Sequence, residues 1–229
     1  MEAVAAVADG PGCEAAPGGP LQEPVAALTS LAFVVAALVI VVDARRRAAR
    51  VPLAYAALVA AVGVGSFVQH GPDPAWSDPA HDLPLLATLT YVAADAAADL
   101  TGRRRRWWWW AFPVAALLPV VVLAPRPGDL AQVGVAVVAV GLTVRRAVAQ
   151  PHLRRRVATA LALLAVGASV GTLARAGWPW CDPASPWQGH GAWHVLAAAA
   201  LAVLAPTVGR GAVRRAGESP ATRRAVTDS

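Results

Sequence analysis

Lysine is absent from this sequence, and all 20 of its basic residues are arginine. A retinal Schiff base forms on a lysine amine, so a rhodopsin-like retinal protein is excluded. Charge is also scarce, because Asp, Glu, Lys and Arg make up only 15% of the chain while 57% of it is hydrophobic. Soluble domains need more charge to cover their surface. The composition therefore predicts one integral membrane domain with the lipid bilayer as its partner.

The net charge of +6 would also fit a nucleic-acid-binding protein. The arginines, however, lie in short clusters between apolar runs, which is where topology signals of membrane proteins occur. We therefore expect no nucleic-acid partner.

The apolar runs predict an all-α membrane bundle of seven transmembrane helices, because several approach the roughly 20 residues that cross a bilayer core. The membrane domain would comprise residues 25–208. It would follow an extracytoplasmic N-terminal segment, residues 1–24, and precede a basic cytoplasmic tail, residues 209–229. The seven spans are predicted at about 25–43, 51–70, 82–100, 107–124, 129–147, 155–175 and 189–208.

The arginine distribution predicts the orientation. Alternate loops and the C-terminal tail hold 18 of the 20 arginines, and only Arg126 and Arg175 lie on the other side. The positive-inside rule then places the N-terminus outside and the C-terminus inside the cell membrane, which the chain crosses several times. Asp95 and Asp99, near the inner end of the third span, are expected to meet the inner arginines.

Four of the five histidines are predicted at the outer face. His70 ends the second span, His81 opens the third, and His190 and His194 open the seventh, whereas His152 lies in an inner loop. The predicted orientation depends on the arginines alone and not on these histidines. Segments that are remote in sequence would thus bring histidine to one depth near the extracytoplasmic face.

The histidine spacing predicts a metal site. His190 and His194 are four residues apart, so both share one helix face and can reach a single ion together with His70. Three imidazoles bind zinc with one position open for water, the arrangement of catalytic zinc sites. Zinc lowers the pKa of that water toward about 7.

Two polar residues near these histidines are candidates for catalysis. Ser66 lies one turn before His70 and could bond the water or a developing oxyanion, although it could instead be a helix serine bonded back to its own backbone. Asp82 could hold the water and move protons. Because Asp82 is followed by Leu83 and Pro84, it could alternatively be the N-cap of the third span.

The two cysteines, Cys13 and Cys181, are both predicted outside. An oxidising exterior permits one disulfide, which would fasten the N-terminal segment over the mouth of the site. Free thiols and metal ligation are the alternatives.

These residues stand in motifs that resemble the alkaline ceramidase family, part of the CREST superfamily of seven-span membrane hydrolases that includes the progestin and adiponectin receptors. Residues 181–194 read CDPASPWQGHGAWH and are similar to the family's last-span signature, which ends in His-x-x-Trp-His. Residues 65–70, GSFVQH, resemble its Gly-Ser-x-x-x-His motif. Residues 13–14 and 24–33 are similar to its N-terminal motif.

The resemblance implies zinc held by His70, His190 and His194, with Ser66 and an aspartate around the bound water. It also implies hydrolysis of a lipid amide such as ceramide, and a bridge between the two cysteines. By direct counting His81 occupies the family's aspartate position and Asp82 follows it. A shift of one residue in the loop would give that role to Asp82, so Asp82 is the predicted residue and His81 the alternative.

The resemblance gives only weak support for calcium as a second cofactor. Eukaryotic members bind it through acidic residues in the N-terminal stretch, and Glu14 is the one clearly retained. Both Glu14 and His81 are expected beside the site, outside the zinc ligands.

A different class of function also fits the sequence. A receptor or sensor that spans the membrane seven times could use the histidines for a structural ion or to sense pH. Such a protein has no need of an open coordination position with Ser66 and Asp82 beside it.

Overall fold

The computed structural model describes residues 12–15, 18–50 and 52–209. The predicted basic tail therefore lies outside the described residues except for Gly209, and most of the predicted N-terminal segment does too. The described residues form seven α-helices and two short 3-10 turns, with no strand among them. The helices are α1 (Pro24–Arg46), α2 (Leu53–His70), α3 (Ser77–Leu100), α4 (Trp108–Leu123), α5 (Pro125–Ala149), α6 (Arg154–Leu173) and α7 (Gly189–Leu204).

Six of the seven helices are long and apolar enough to cross a membrane. The exception is α4, which is apolar but has only 16 residues; α7 is equally short by itself, but a 3-10 turn extends it to Thr207, which gives a span of 19 residues. The prediction of an all-α membrane bundle is thus confirmed in architecture. The seventh span and the sidedness of the bundle remain predictions.

The beginning of α3 differs from the prediction. The helix starts at Ser77, five residues before the expected residue 82, so His81 and Asp82 lie inside its second turn. The interpretation of Asp82 as an N-cap is therefore wrong. Pro84, which fits the first turn of a helix, lies instead within α3, where its missing N–H leaves the carbonyl of Ala80 without its usual i+4 donor.

The helices pack around α1, α2 and α7. Helix α1 contacts both α2 and α7, α6 packs on α7, and α3 joins α2 to α4 and α5. The fully buried Tyr55 of α2 donates a hydrogen bond from its hydroxyl to the carbonyl of Leu201 in α7, at 2.9 Å. Small side chains allow such close approach, and the buried core contains many alanines.

A network of ion pairs lies near the C-terminal end of α3 and connects this helix to α5. The guanidinium of Arg146 in α5 lies 2.7 Å from a carboxylate oxygen of Asp99 and 3.2 Å from one of Asp95. It also donates a hydrogen bond to the carbonyl of Thr207, and the amide of Gly209 donates to Asp95 at 3.1 Å. The expected pairing of Asp95 and Asp99 with an arginine is confirmed.

Candidate metal centre

His70, His190 and His194 form one cluster in which the possible ligand atoms all lie within 4.8 Å of one another. The Nε2 atoms of His70 and His190 are 3.1 Å apart. Three imidazole nitrogens around a tetrahedral zinc lie roughly 3.3 Å apart, given zinc–nitrogen bonds of about 2.0–2.1 Å. The cluster therefore needs only small side-chain rotations to hold one ion.

His70 is oriented by Glu23, which precedes the first residue of α1. The amide of Glu23 donates to the carbonyl of His70 at 2.8 Å, and the amide of Gln22 donates to the carbonyl of Gly71 at 2.9 Å. These backbone bonds bring the Glu23 carboxylate to 2.5 Å from Nδ1 of His70, where both side chains are buried. A carboxylate accepts the Nδ1 proton and leaves the Nε2 lone pair for a metal, as carboxylate–histidine–zinc arrangements do.

Contacts with α1 likewise fix the tautomer of His194 that carries its proton on Nδ1. Its Nδ1 lies 3.1 Å from the carbonyl of Ala26 and 3.3 Å from the hydroxyls of Thr29 and Ser30. A carbonyl only accepts, and both hydroxyls can donate to carbonyls of α1, at 2.7 Å from Thr29 to Val25 and 2.8 Å from Ser30 to Ala26. The Nδ1 atom therefore carries the proton, and Nε2 is free to bind a cation.

Ser66 lies beside His194 and is fully buried. Its Oγ is 3.4 Å from Nε2 of His194 and 2.7 Å from the hydroxyl of Ser30. When Ser30 donates its single proton to Ala26, Ser66 is the donor to Ser30, and its lone pairs face the unprotonated Nε2 of His194. The Ser66 oxygen and Nε2 of His194 are then both hydrogen-bond acceptors, and a cation or a proton donor between them would stabilise their contact. The alternative of a back-bonded serine describes Ser30 rather than Ser66.

His81 and Asp82 form a pair on α3, with Nδ1 of His81 2.8 Å from a carboxylate oxygen of Asp82. The ring centroid of His81 lies 6.5 Å from that of His70. Among the described residues, the candidate metal cluster contains neither of the two. The ring of His81 thus lies near the cluster, and Asp82 contacts that ring.

Gly65 sets the distance between α2 and α3 next to this pair. A Cβ atom at Gly65 would lie 2.0 Å from the carbonyl oxygen of Ala80 and 2.9 Å from Cα of His81. This is the carbonyl that Pro84 leaves without a helical donor. Only glycine permits the approach, which places the His81 turn beside the end of α2.

The N-terminal segment is fastened to this end of the bundle. Cys13 and Cys181 form a disulfide, which confirms the predicted bridge. The carboxylate of Glu14 accepts hydrogen bonds from the amides of Val25 and Ala26 at 2.7 and 3.1 Å. Glu14 thereby caps α1, and this helix presents the Ala26 carbonyl to His194. The carboxylate expected beside the site acts here as a helix cap.

Three polar residues around the cluster were not predicted from the sequence: Glu23, Thr29 and Ser30. Glu23 directly precedes the proline that begins α1, at the predicted outer face, and this position was the available signal. Thr29 and Ser30 lie three and four residues after Ala26, so they reach the same face of α1 as the carbonyl that holds His194.

No model of a known protein family matches this chain, and a search of curated proteins finds no match. The fold and the site define the class of protein: a helical membrane protein with a buried three-histidine cluster that could bind a metal ion.

Proposed function

We propose that the chain is a zinc-dependent membrane hydrolase that cleaves the amide bond of a ceramide-like lipid. The carrying observation is the meeting of His70, His190 and His194 beside the buried hydroxyl of Ser66. Structural zinc sites use four protein ligands, whereas three imidazoles leave one position for water or substrate. The motifs shared with alkaline ceramidases suggest the amide and the lipid.

A zinc ion bound there would supply a Lewis acid that also makes a neutral-pH nucleophile of water. The residues around it have separate roles in the proposal. Glu23 and the carbonyl of Ala26 hold His70 and His194 in the metal-binding tautomer. The Ser66 hydroxyl turns from Ser30 to the substrate oxygen that gains charge as the amide carbon is attacked.

The His81–Asp82 pair would move the proton. It accepts the proton from the attacking water and returns it to the leaving amine. The contact of 2.8 Å lets Asp82 orient the His81 ring and stabilise it when protonated. The proposal thus gives a role to both candidates for the family's aspartate position. His81, which lies near His70, transfers the proton, and Asp82 orients His81.

We further propose that α4 also crosses the membrane and that the site faces the outside of the cell. A helix of 16 residues is about 24 Å long, less than the roughly 30 Å of the hydrocarbon core. The four arginines before it can lie at headgroup level, and local thinning of the bilayer accommodates a short span. Seven crossings follow, and the arginine-rich ends then lie inside.

The test is purification in detergent, metal analysis, and an assay of ceramides and N-acyl amino lipids with and without a chelator. We expect stoichiometric zinc, and hydrolysis that the chelator abolishes and added zinc restores. His190→Ala and His194→Ala should each lose the metal, whereas His152→Ala, which removes the remote histidine, should keep it.

The outcomes separate the candidate functions. Zinc without hydrolysis of any lipid amide would overturn the hydrolase and favour a receptor or sensor with a structural ion. Full zinc retention by both alanine variants would overturn the site itself. Asp82→Ala and His81→Ala should keep zinc and lose turnover, and wild-type turnover in both would remove the pair from the mechanism.

A further inference from the structure

A second site is suggested at the far end of α3, where four arginines precede α4. A cavity of about 360 Å³ is lined by Arg104, Arg105, Arg106, Trp107 and Trp108. We refer to it as the arginine pocket. Its cationic and aromatic lining suits an anion at the level of lipid headgroups, where tryptophan is enriched in membrane proteins.

An apolar cavity adjoins the arginine pocket through Trp108, which lines both. This cavity measures about 610 Å³ and lies between α3, α4 and α5. Its volume falls within the range of about 300–1,000 Å³ that holds small ligands. Its lining includes Thr90 and Ala97 of α3, Phe112 of α4, and Gly134 and Val138 of α5.

The charges of the arginine pocket are incompletely balanced. Arg104 and Arg106 are exposed, and neither makes a salt bridge to any residue that the structure describes. Arg105 stacks on the ring of Tyr91 at 3.8 Å, and its nearest ion pair, to Asp95, is also 3.8 Å long. Its buried Nη1 atom has no hydrogen-bond partner in the described part of the chain.

Helix α4 buries few of its side chains against the rest of the protein. Val121 is its one buried side chain among the described residues, although it packs along α3 and α5. An apolar chain between these helices would complete their packing. The cavity and the pocket thus offer an apolar compartment and a cationic compartment, joined at one tryptophan.

We propose that these two compartments bind one anionic phospholipid, with its phosphate on Arg104, Arg105 and Arg106 and an acyl chain in the apolar cavity. Guanidinium groups bind phosphate oxygens through paired hydrogen bonds. Basic segments next to a membrane helix attract anionic lipids. The site is separate from the metal centre, because the 24 residues of α3 span about 36 Å between the two ends.

The test is native mass spectrometry of delipidated protein in detergent, titrated with phosphatidylglycerol, with zwitterionic phosphatidylcholine, or with inorganic phosphate. We expect one phosphatidylglycerol to bind at least about tenfold more tightly than phosphatidylcholine. Arg104→Gln combined with Arg106→Gln should weaken phosphatidylglycerol binding about 25-fold, because each arginine near an anionic surface contributes roughly a factor of five.

Matched variants separate the site from net charge. Arg155→Gln combined with Arg156→Gln removes the same charge at the start of α6 and should leave the affinity unchanged. Gly134→Leu fills the apolar cavity and should weaken phosphatidylglycerol binding, whereas Gly141→Leu should not. Both glycines have open space at the Cβ position. Gly141 does not line the cavity.

Three results would overturn the proposal. Equal affinity for the two lipids would show an ordinary lipid-facing surface. Equal loss in both arginine pairs would show a net-charge effect. Inorganic phosphate that binds as tightly as phosphatidylglycerol, with no effect of Gly134→Leu, would show an anion site without the lipid.

Discussion

The carboxylate of Glu23 lies 2.5 Å from Nδ1 of His70, and both side chains are buried. The two residues are 47 positions apart, and the backbone hydrogen bonds of residues 22–23 with residues 70–71 bring them together. A histidine held in this way has its ring plane and tautomer set before any ion arrives. The start of α1 is thus part of the candidate metal centre, although it contributes no ligand.

Glu23→Gln should weaken zinc binding about 10–100-fold, because the loss of a carboxylate behind a metal-binding histidine typically has that effect. Competition with a chromophoric chelator would measure the affinity. Asp78→Asn is the control, since this exposed carboxylate contacts Gln69 near the same end of the bundle. An affinity equal to that of the unaltered protein would contradict the role of Glu23.

Removal of the disulfide by Cys13→Ser combined with Cys181→Ser should destabilise the protein by about 2–4 kcal/mol, the usual effect of a native disulfide. The bond joins residues 168 positions apart. Thermal unfolding in detergent would measure the change. Reductant should lower the midpoint of the parent protein and leave that of the double variant unaltered. Equal midpoints for the oxidised parent and the variant would disprove the stabilisation.

Gly65→Ala should destabilise the protein by more than about 2 kcal/mol, in the upper range of overpacking changes, because the new Cβ would stand 2.0 Å from the carbonyl of Ala80. It should also weaken zinc binding, since α3 and the end of α2 would move apart. Gly141→Ala is the matched control in α5, where the same methyl group meets open space. Similar unfolding midpoints in the two variants would contradict the close approach of α2 and α3.

Arg146→Met should destabilise the protein by about 3–5 kcal/mol, because it removes the nearest cation from the buried carboxylate of Asp95 and the partly buried one of Asp99. Arg145→Met removes the same charge from the neighbouring exposed position and should change stability little. Unfolding midpoints of both variants give the comparison. The metal affinity of Arg146→Met should be unaltered in the folded protein, because the network lies at the other end of α3.

Much of the helical architecture could be predicted from hydropathy. The end of α2 at His70 and the beginning of α7 at Gly189 agree with the predicted spans. The predicted beginning of α3 at residue 82 was wrong. The prediction took Pro84 as a first-turn residue, whereas this proline lies within the helix. Sequence periodicity does not indicate that the Ala80 carbonyl lacks its helical hydrogen-bond donor. Nor does it indicate that this carbonyl lies next to Gly65.

The histidine cluster could also be predicted, because His190 and His194 share a face and the topology brings His70 to the same depth. The role of Glu23 could not. An acidic residue before a proline is an ordinary beginning of a helix, and its contact with His70 depends on pairing of the chain over long distance. The hydroxyls of Thr29 and Ser30 escaped prediction for the same reason.

The cluster takes His70 from α2 and His190 and His194 from α7, so its assembly has an order in time. The nascent chain presents His70 first, and His190 emerges only after 120 further residues have been synthesised. An ion cannot be captured by all three rings before α7 has been inserted. Capture of an ion by the complete cluster would therefore follow the insertion of α7, and a chain truncated before α7 should bind zinc far more weakly than the full chain.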